Sequence, residues 1–197
     1  RSMAETMMAH AQSDEMEVRR NRWRAVNGLR KPDRAPVWCG MAGVSRELFP
    51  ANTLECTDAD CRRVEDAFRR HLYKMWVGDD EVFEPWWGVS AAFDCSSEYP
   101  FGLPTHVSIG STEQGGFKYH HPVETPEDYQ RITVPQYTYN AERTNERLAR
   151  MKELLEPVMP VRLVCSPPLA PQHSVHLERL RGMDGMLEDL AFRPHLV

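Results

Sequence analysis

Apolar residues recur at helical spacing in some stretches of the chain and gather into short continuous runs in others. That alternation predicts helices and strands that follow one another. Met16, Trp23, Ala25 and Val26 lie at roughly helical spacing, between Ser13, a capping residue type, and Gly28, where the helix ends at about Leu29. Lys31-Pro32-Asp33-Arg34 reads as a turn, because proline cannot continue a helix and biases its predecessor away from one. Residues 35–39 (APVWC) read as a first, short buried strand. After a loop with Gly40, Gly43 and Pro50, Thr57 is placed to cap a helix carrying Val64, Ala67, Phe68, Leu72 and Met75 on one face. Residues 80–86 (DEVFEPW) read as a second strand, a long helix is expected over 140–155, and a third strand over 159–165 (MPVRLVC). A proline-rich loop over 166–171 follows. One or two helices then run from His173 to about Leu190, broken near Gly182 and Gly185. Residues 1–12 are polar and Met-rich and read as a flexible tail, with 13–197 as the folded domain.

The stretch 94–123 breaks the rhythm. Alternating residues and glycines there suggest one or two β-hairpins inserted into the series, after which Thr125 caps a short helix with Pro126 at its first position. Strands alternating with helices favour an α/β fold with a parallel sheet and helical crossovers. Three such strands fall short of an eight-stranded barrel, which typically takes about 250 residues. The expectation is therefore either a small open α/β domain or part of a barrel.

Composition narrows the function classes. A net charge of −5 and a pI near 5.9 leave no global basic footprint for nucleic acid. No apolar run approaches the roughly 20 residues of a membrane helix, and the N-terminal residues have no apolar core of a secretory signal. Five cysteines at irregular spacing (39, 56, 61, 95 and 165) fit free thiols and a cytoplasmic setting better than a disulfide framework.

Three stretches carry a resemblance. Residues 22–38 (RWRAVNGLRKPDRAPVW) combine a helix, a Pro-Asp-Arg turn and a strand. Residues 124–129 (ETPEDY) open a helix. Residues 181–190 (RGMDGMLEDL) with 194–197 (PHLV) set an acidic helix before a Pro-x-Leu-Val turn. In this order they resemble the N-terminal part of the uroporphyrinogen decarboxylase-like superfamily. The resemblance implies a partial (β/α)8 TIM-type barrel with a β-hairpin insertion, and a chain that continues past residue 197. It implies one of two chemistries: decarboxylation of uroporphyrinogen without a cofactor, or methyl transfer to or from a corrinoid protein. The decarboxylases follow their first strand with Arg-Gln-Ala-Gly-Arg. Here Gly40-Met41-Ala42-Gly43-Val44 keeps Ala42-Gly43 but replaces both arginines, which grip carboxylates bidentately as neither glycine nor valine can. The tyrosine after the third strand is also missing from residues 166–173. The departures favour methyl transfer on small methylated or methoxylated compounds. The implied zinc has no ligands in this chain, which lacks the His-x-Cys pair of those methyltransferases. A corrinoid-protein partner and a homodimer complete the expectation, with porphyrin biosynthesis or a catalytically inert chain acting through assembly as the alternatives.

In barrels, function collects at the carboxyl ends of strands. That singles out Glu84 and His173 as candidate catalytic residues, and Trp38, Met41, Trp86 and Gln172 as candidate substrate contacts. Glu84 sits in an apolar context (FEPWW) that would raise its pKa for acid–base work, and the plainer alternative is a carboxylate paired with an arginine. Trp38, Trp86 and Trp87 could form an aromatic wall or simply pack in the core. His173 and His176, three apart, share a helix face, where surface or capping roles are the simpler account. Cys165 could be a nucleophile beside a base, or a small buried hydrophobe.

Overall fold

The computed structural model describes residues 1–41, 44–109, 116–169 and 172–196; Ala42-Gly43, residues 110–115, Ala170-Pro171 and Val197 lie outside the described residues. Seven helices are described: α1 (Ser2–Ala11), α2 (Asp14–Asn27), α3 (Ser45–Leu48), α4 (Ala59–Val77), α5 (Ala141–Leu155), α6 (His173–Arg181) and α7 (Met183–Phe192). Six strands join them: β1 (Trp87–Ser90), β2 (Phe93–Cys95), β3 (His106–Ile109), β4 (Phe117–His120), β5 (Tyr137–Tyr139) and β6 (Val161–Val164). The strands form three two-stranded sheets. The chain divides into two compact units, residues 1–90 with 142–164 and residues 91–141 with 165–197.

In the first unit β1 and β6 pair in parallel, Trp87 opposite Val161 and Ser90 opposite Val164, and the chain enters β6 by way of α5. The core beneath them gathers Met16, Val64, Phe68, Phe83, Val89, Met151, Leu155 and Met159. Ser13 caps α2 as expected, its hydroxyl accepting from the Met16 amide at 3.2 Å. Asp58 rather than Thr57 caps α4, accepting from the amides of Asp60 and Cys61. A carboxylate reaches the open amides of a first turn as well as a hydroxyl does, and its charge suits the helix dipole.

Three expectations change here. Residues 1–12, read as a flexible tail, contain α1, whose Ala4, Met7 and Ala11 are at most 2% exposed and belong to the core. Their spacing of three and four residues puts them on one helix face. Residues 35–39 form no strand, because side chains of Asp79 and Asp80 take backbone bonds that a neighbouring strand would otherwise fill. The second strand is Trp87–Ser90 and not 80–86, since Pro85 brings no amide to a ladder. The third expected strand holds, as Val161–Val164.

In the second unit β3 and β4 form an antiparallel pair inside the expected hairpin stretch, while β2 pairs antiparallel with β5. Thr125 and Asp128 make a capping box at the start of the 3-10 turn Pro126–Arg131. Gly182, with φ 79°, separates α6 from α7, the break its glycine signalled. Leu103, Val123 and Leu180 form a small core of their own.

Candidate functional site

The segment after the Pro-Asp-Arg turn is held by buried charge. Asp80, 1% exposed, is paired with Arg22, accepts from Arg34 at 2.6 and 2.9 Å, and accepts the Val37 amide at 2.7 Å. Its main-chain oxygen takes the Trp23 indole N–H at 2.7 Å, and Asp33 takes Arg22 Nε at 2.8 Å. Burial by itself would raise the Asp80 pKa, but the hydrogen bonds from Arg34, the Val37 amide and Arg22 outweigh it and hold the carboxyl below its ordinary range. Next to it Lys74, also 1% exposed, pairs with Asp79 and lies 3.0 Å from Glu81. Its ammonium sits 5.0 Å from the centre of the Trp38 ring, a cation–π contact that fixes one face of an indole 60% exposed. Met41 is partly buried, and its carbonyl accepts the Val44 amide at 3.2 Å.

Glu84 and Trp86 stand elsewhere in the first unit. Both line a cavity of about 310 Å³ whose other walls are Met7, Phe68, His71, Val82, Phe83, Trp87, Gly88 and Met159. Apart from Met7, Phe68 and His71, which helices supply, these residues immediately precede or begin β1 and β6, so the cavity lies at the amino end of the parallel pair, opposite to the end expected from the sequence. Glu84 is about half exposed, 4.0 Å from Arg20 Nη2, whose guanidinium also donates to the carbonyls of Ala11 and Phe83. Its surroundings are those of a surface-paired carboxylate at a cavity mouth. Trp86 and Trp87 share the cavity, but Trp38 is not among its lining residues, so the three indoles do not make one wall. Trp86 carries Arg162 at 5.3 Å from its ring centre, and Trp87 packs edge-on against Phe68 at 5.5 Å.

His71 is the polar group of this cavity that the sequence reading passed over. It projects from α4 and lies 4.9 Å from the Phe83 ring centre, and its ring nitrogens make no hydrogen bond among the described residues. Burial lowers its pKa, against a smaller opposing pull from Glu81, so the imidazole is neutral at neutral pH. It falls three residues after Phe68, on the same apolar face already legible in that helix.

Gln172 and His173 belong to the second unit. Gln172 occupies the position before α6, where its carbonyl, not its side chain, accepts the His176 amide at 3.0 Å. His173, first in α6, is exposed, whereas His176 packs against Phe101 at 5.4 Å. Cys165 is exposed. The buried charge of this unit is Asp189, which accepts from Tyr129 Oη at 2.9 Å, Arg181 Nε at 2.8 Å and Arg193 Nε at 2.8 Å. Arg181 also binds the carbonyls of Val123 and Glu124. These donors hold the Asp189 carboxyl well below its ordinary range against burial, and burial together with Asp189 pushes the Tyr129 hydroxyl up.

Among the described residues no group of three or more His, Cys, Asp and Glu side chains is arranged to hold a metal ion, and no helix is long and apolar enough to cross a membrane. No family model, curated protein or solved structure matches the chain.

Proposed function

We propose that the chain is part of an α/β barrel enzyme of the uroporphyrinogen decarboxylase-like superfamily, cytoplasmic, which moves a methyl group between a small methylated or methoxylated compound and a corrinoid protein. The observation that carries the reading is the parallel pair β1–β6. Parallel neighbours joined through a helix are the repeating unit of such barrels, and the chain passes into its second unit just after the carboxyl end of each of these strands. Two further observations support it. The stretches of the resemblance are built into buried ion-pair clusters, Arg22, Asp33 and Arg34 around Asp80 in one unit and Tyr129 and Arg181 around Asp189 in the other. Among arginines flanking residues 35–41, Arg22 and Arg34 are committed to Asp80, and Gly40 and Val44 stand where the decarboxylases have arginine. A polycarboxylate porphyrinogen would meet no guanidinium at those two positions, which favours a small substrate over uroporphyrinogen.

The test mixes the protein, in its full natural length, with reduced corrinoid proteins and a panel of methoxylated aromatic and methylated amine or sulfur compounds. Methylation of the corrinoid is followed by its visible absorbance. Turnover with one compound class and none with uroporphyrinogen is the expected result. Carbon dioxide release from uroporphyrinogen with no corrinoid response would replace this reading by the decarboxylase one.

A further inference from the structure

We propose that the cavity at the amino end of β1 and β6 is a binding site for a small, neutral, aromatic compound bearing one hydrogen-bond donor, with the ring between Phe83 and Trp86 and the donor on an imidazole nitrogen of His71. The inference stands on the cavity alone and does not depend on the methyl-transfer reading.

Size comes first. About 310 Å³ lies at the lower edge of the range for small-molecule sites and is roughly twice an engineered apolar cavity that holds benzene. One substituted ring or a fused pair fits; a porphyrin does not. Wall chemistry comes second. Phe68, Phe83, Trp86 and Trp87 offer ring faces and edges, and Met7 and Met159 offer thioethers that sit well against aromatic rings. Charge comes third. The carboxylate at the mouth, Glu84, disfavours an anion, while Arg20 beside it and Arg162 on Trp86 already occupy the places a cation would seek. A neutral ligand is left. The polar group comes last. His71 is neutral and makes no hydrogen bond among the described residues, so one nitrogen is free to accept from a phenolic O–H or an indole N–H. A partly buried acceptor that gains such a partner favours the donor-bearing compound over the analogue without it.

The experiment titrates the 197-residue chain with phenol, indole and toluene, following tryptophan emission and calorimetric heat, and records the imidazole nitrogen resonances of His71 with and without phenol. Phenol and indole are expected to bind saturably with Kd of about 1 mM or tighter, toluene at least about five-fold more weakly. The His71 nitrogen signals should shift with phenol and not with toluene. In His71→Phe, which keeps a ring and removes the acceptor, phenol should fall to the toluene affinity while toluene is unchanged. Equal binding of phenol and toluene, no saturable binding of any of the three, or unmoved His71 resonances in the unaltered chain would each overturn the proposal, the last without any need for the variant to fold.

Discussion

Asp80→Asn tests whether the first resemblance stretch is held by one buried carboxylate. In the folded chain that carboxylate answers Arg22, Arg34 and the Val37 amide at once. Asparagine keeps the volume, removes the charge and turns one acceptor oxygen into an amide that faces guanidinium. Breaking a buried ion pair from one side costs about 3–5 kcal/mol. Arg22 retains Asp33, and the Arg34 side chain is half exposed and can turn to water, so the lower end applies, about 3 kcal/mol. With a urea m-value of about 2 kcal/mol/M, the midpoint should drop by roughly 1.5 M. Tryptophan emission is a direct probe, since the Trp23 indole donates to the Asp80 carbonyl. Asp33→Asn is the control: Asp33 is largely exposed, and its loss should move the midpoint far less. The folded pKa of Asp80 lies below its unfolded value of 3.8, so its contribution is present above that pH and lost as the pH falls further. The gap between the unaltered chain and Asp80→Asn should therefore close below about pH 4. A loss under about 1 kcal/mol at pH 7, or equal losses for the two variants, would refute the account.

Phe68→Ala removes a nearly buried ring and its edge-on contact with Trp87, and should cost about 3–5 kcal/mol in the same urea assay. His71 has a folded pKa below its ordinary 6.5, so the stability tied to its neutral form is present above pH 6.5 and lost as the pH falls; melting scans should show a drop from pH 7 to 5.5 that is shallower in His71→Phe. Gly182→Ala forces a side chain into φ 79° with its Cβ 2.8 Å from the His121 imidazole, and should destabilise the second unit by more than about 1 kcal/mol, read by loss of amide protection in α6 and α7. Asp189→Asn should release Tyr129, visible as a fall of its phenol pKa toward the ordinary 10 in an ultraviolet titration.

Local signals were legible where one residue decides the outcome. The Ser13 cap, the Thr125-Pro126 turn start and the glycine break at 182 all stand where their chemistry put them. What failed was legibility at a distance. Residues 35–39 look like a strand because they are apolar, yet a strand needs a neighbour, and two aspartates 40 and 43 positions away supply the bonds instead. The helical spacing of Ala4, Met7 and Ala11 was present but hidden in a polar, Met-rich composition, and only packing on the core distinguishes it from a tail. The site suffered most. Glu84 and Trp86 do share a cavity, but a strand displaced by a few residues moves them from the carboxyl to the amino end of the pair. His71 was not found because an isolated histidine on an apolar helix face carries no pattern of its own.

The resemblance and the site make different kinds of claim. Arg22, Asp33, Arg34, Tyr129 and Arg181 are conspicuous in sequence because charged and hydroxyl-bearing residues stand out from their apolar surroundings. In the structure each has polar atoms committed to a buried partner, Asp80 or Asp189, or to another member of the same cluster. A buried carboxylate ringed by donors fixes the path of the backbone, and its loss is felt as instability. Such residues bear on how this chain folds far more than on any reaction it carries out. Chemistry falls instead to groups with unspent capacity. In the first unit these include the exposed face of Trp38 and the neutral nitrogens of His71. An assay of function should begin with substitutions at those two residues, and an assay of fold with the two aspartates; a variant that moves both readouts together is reporting structure.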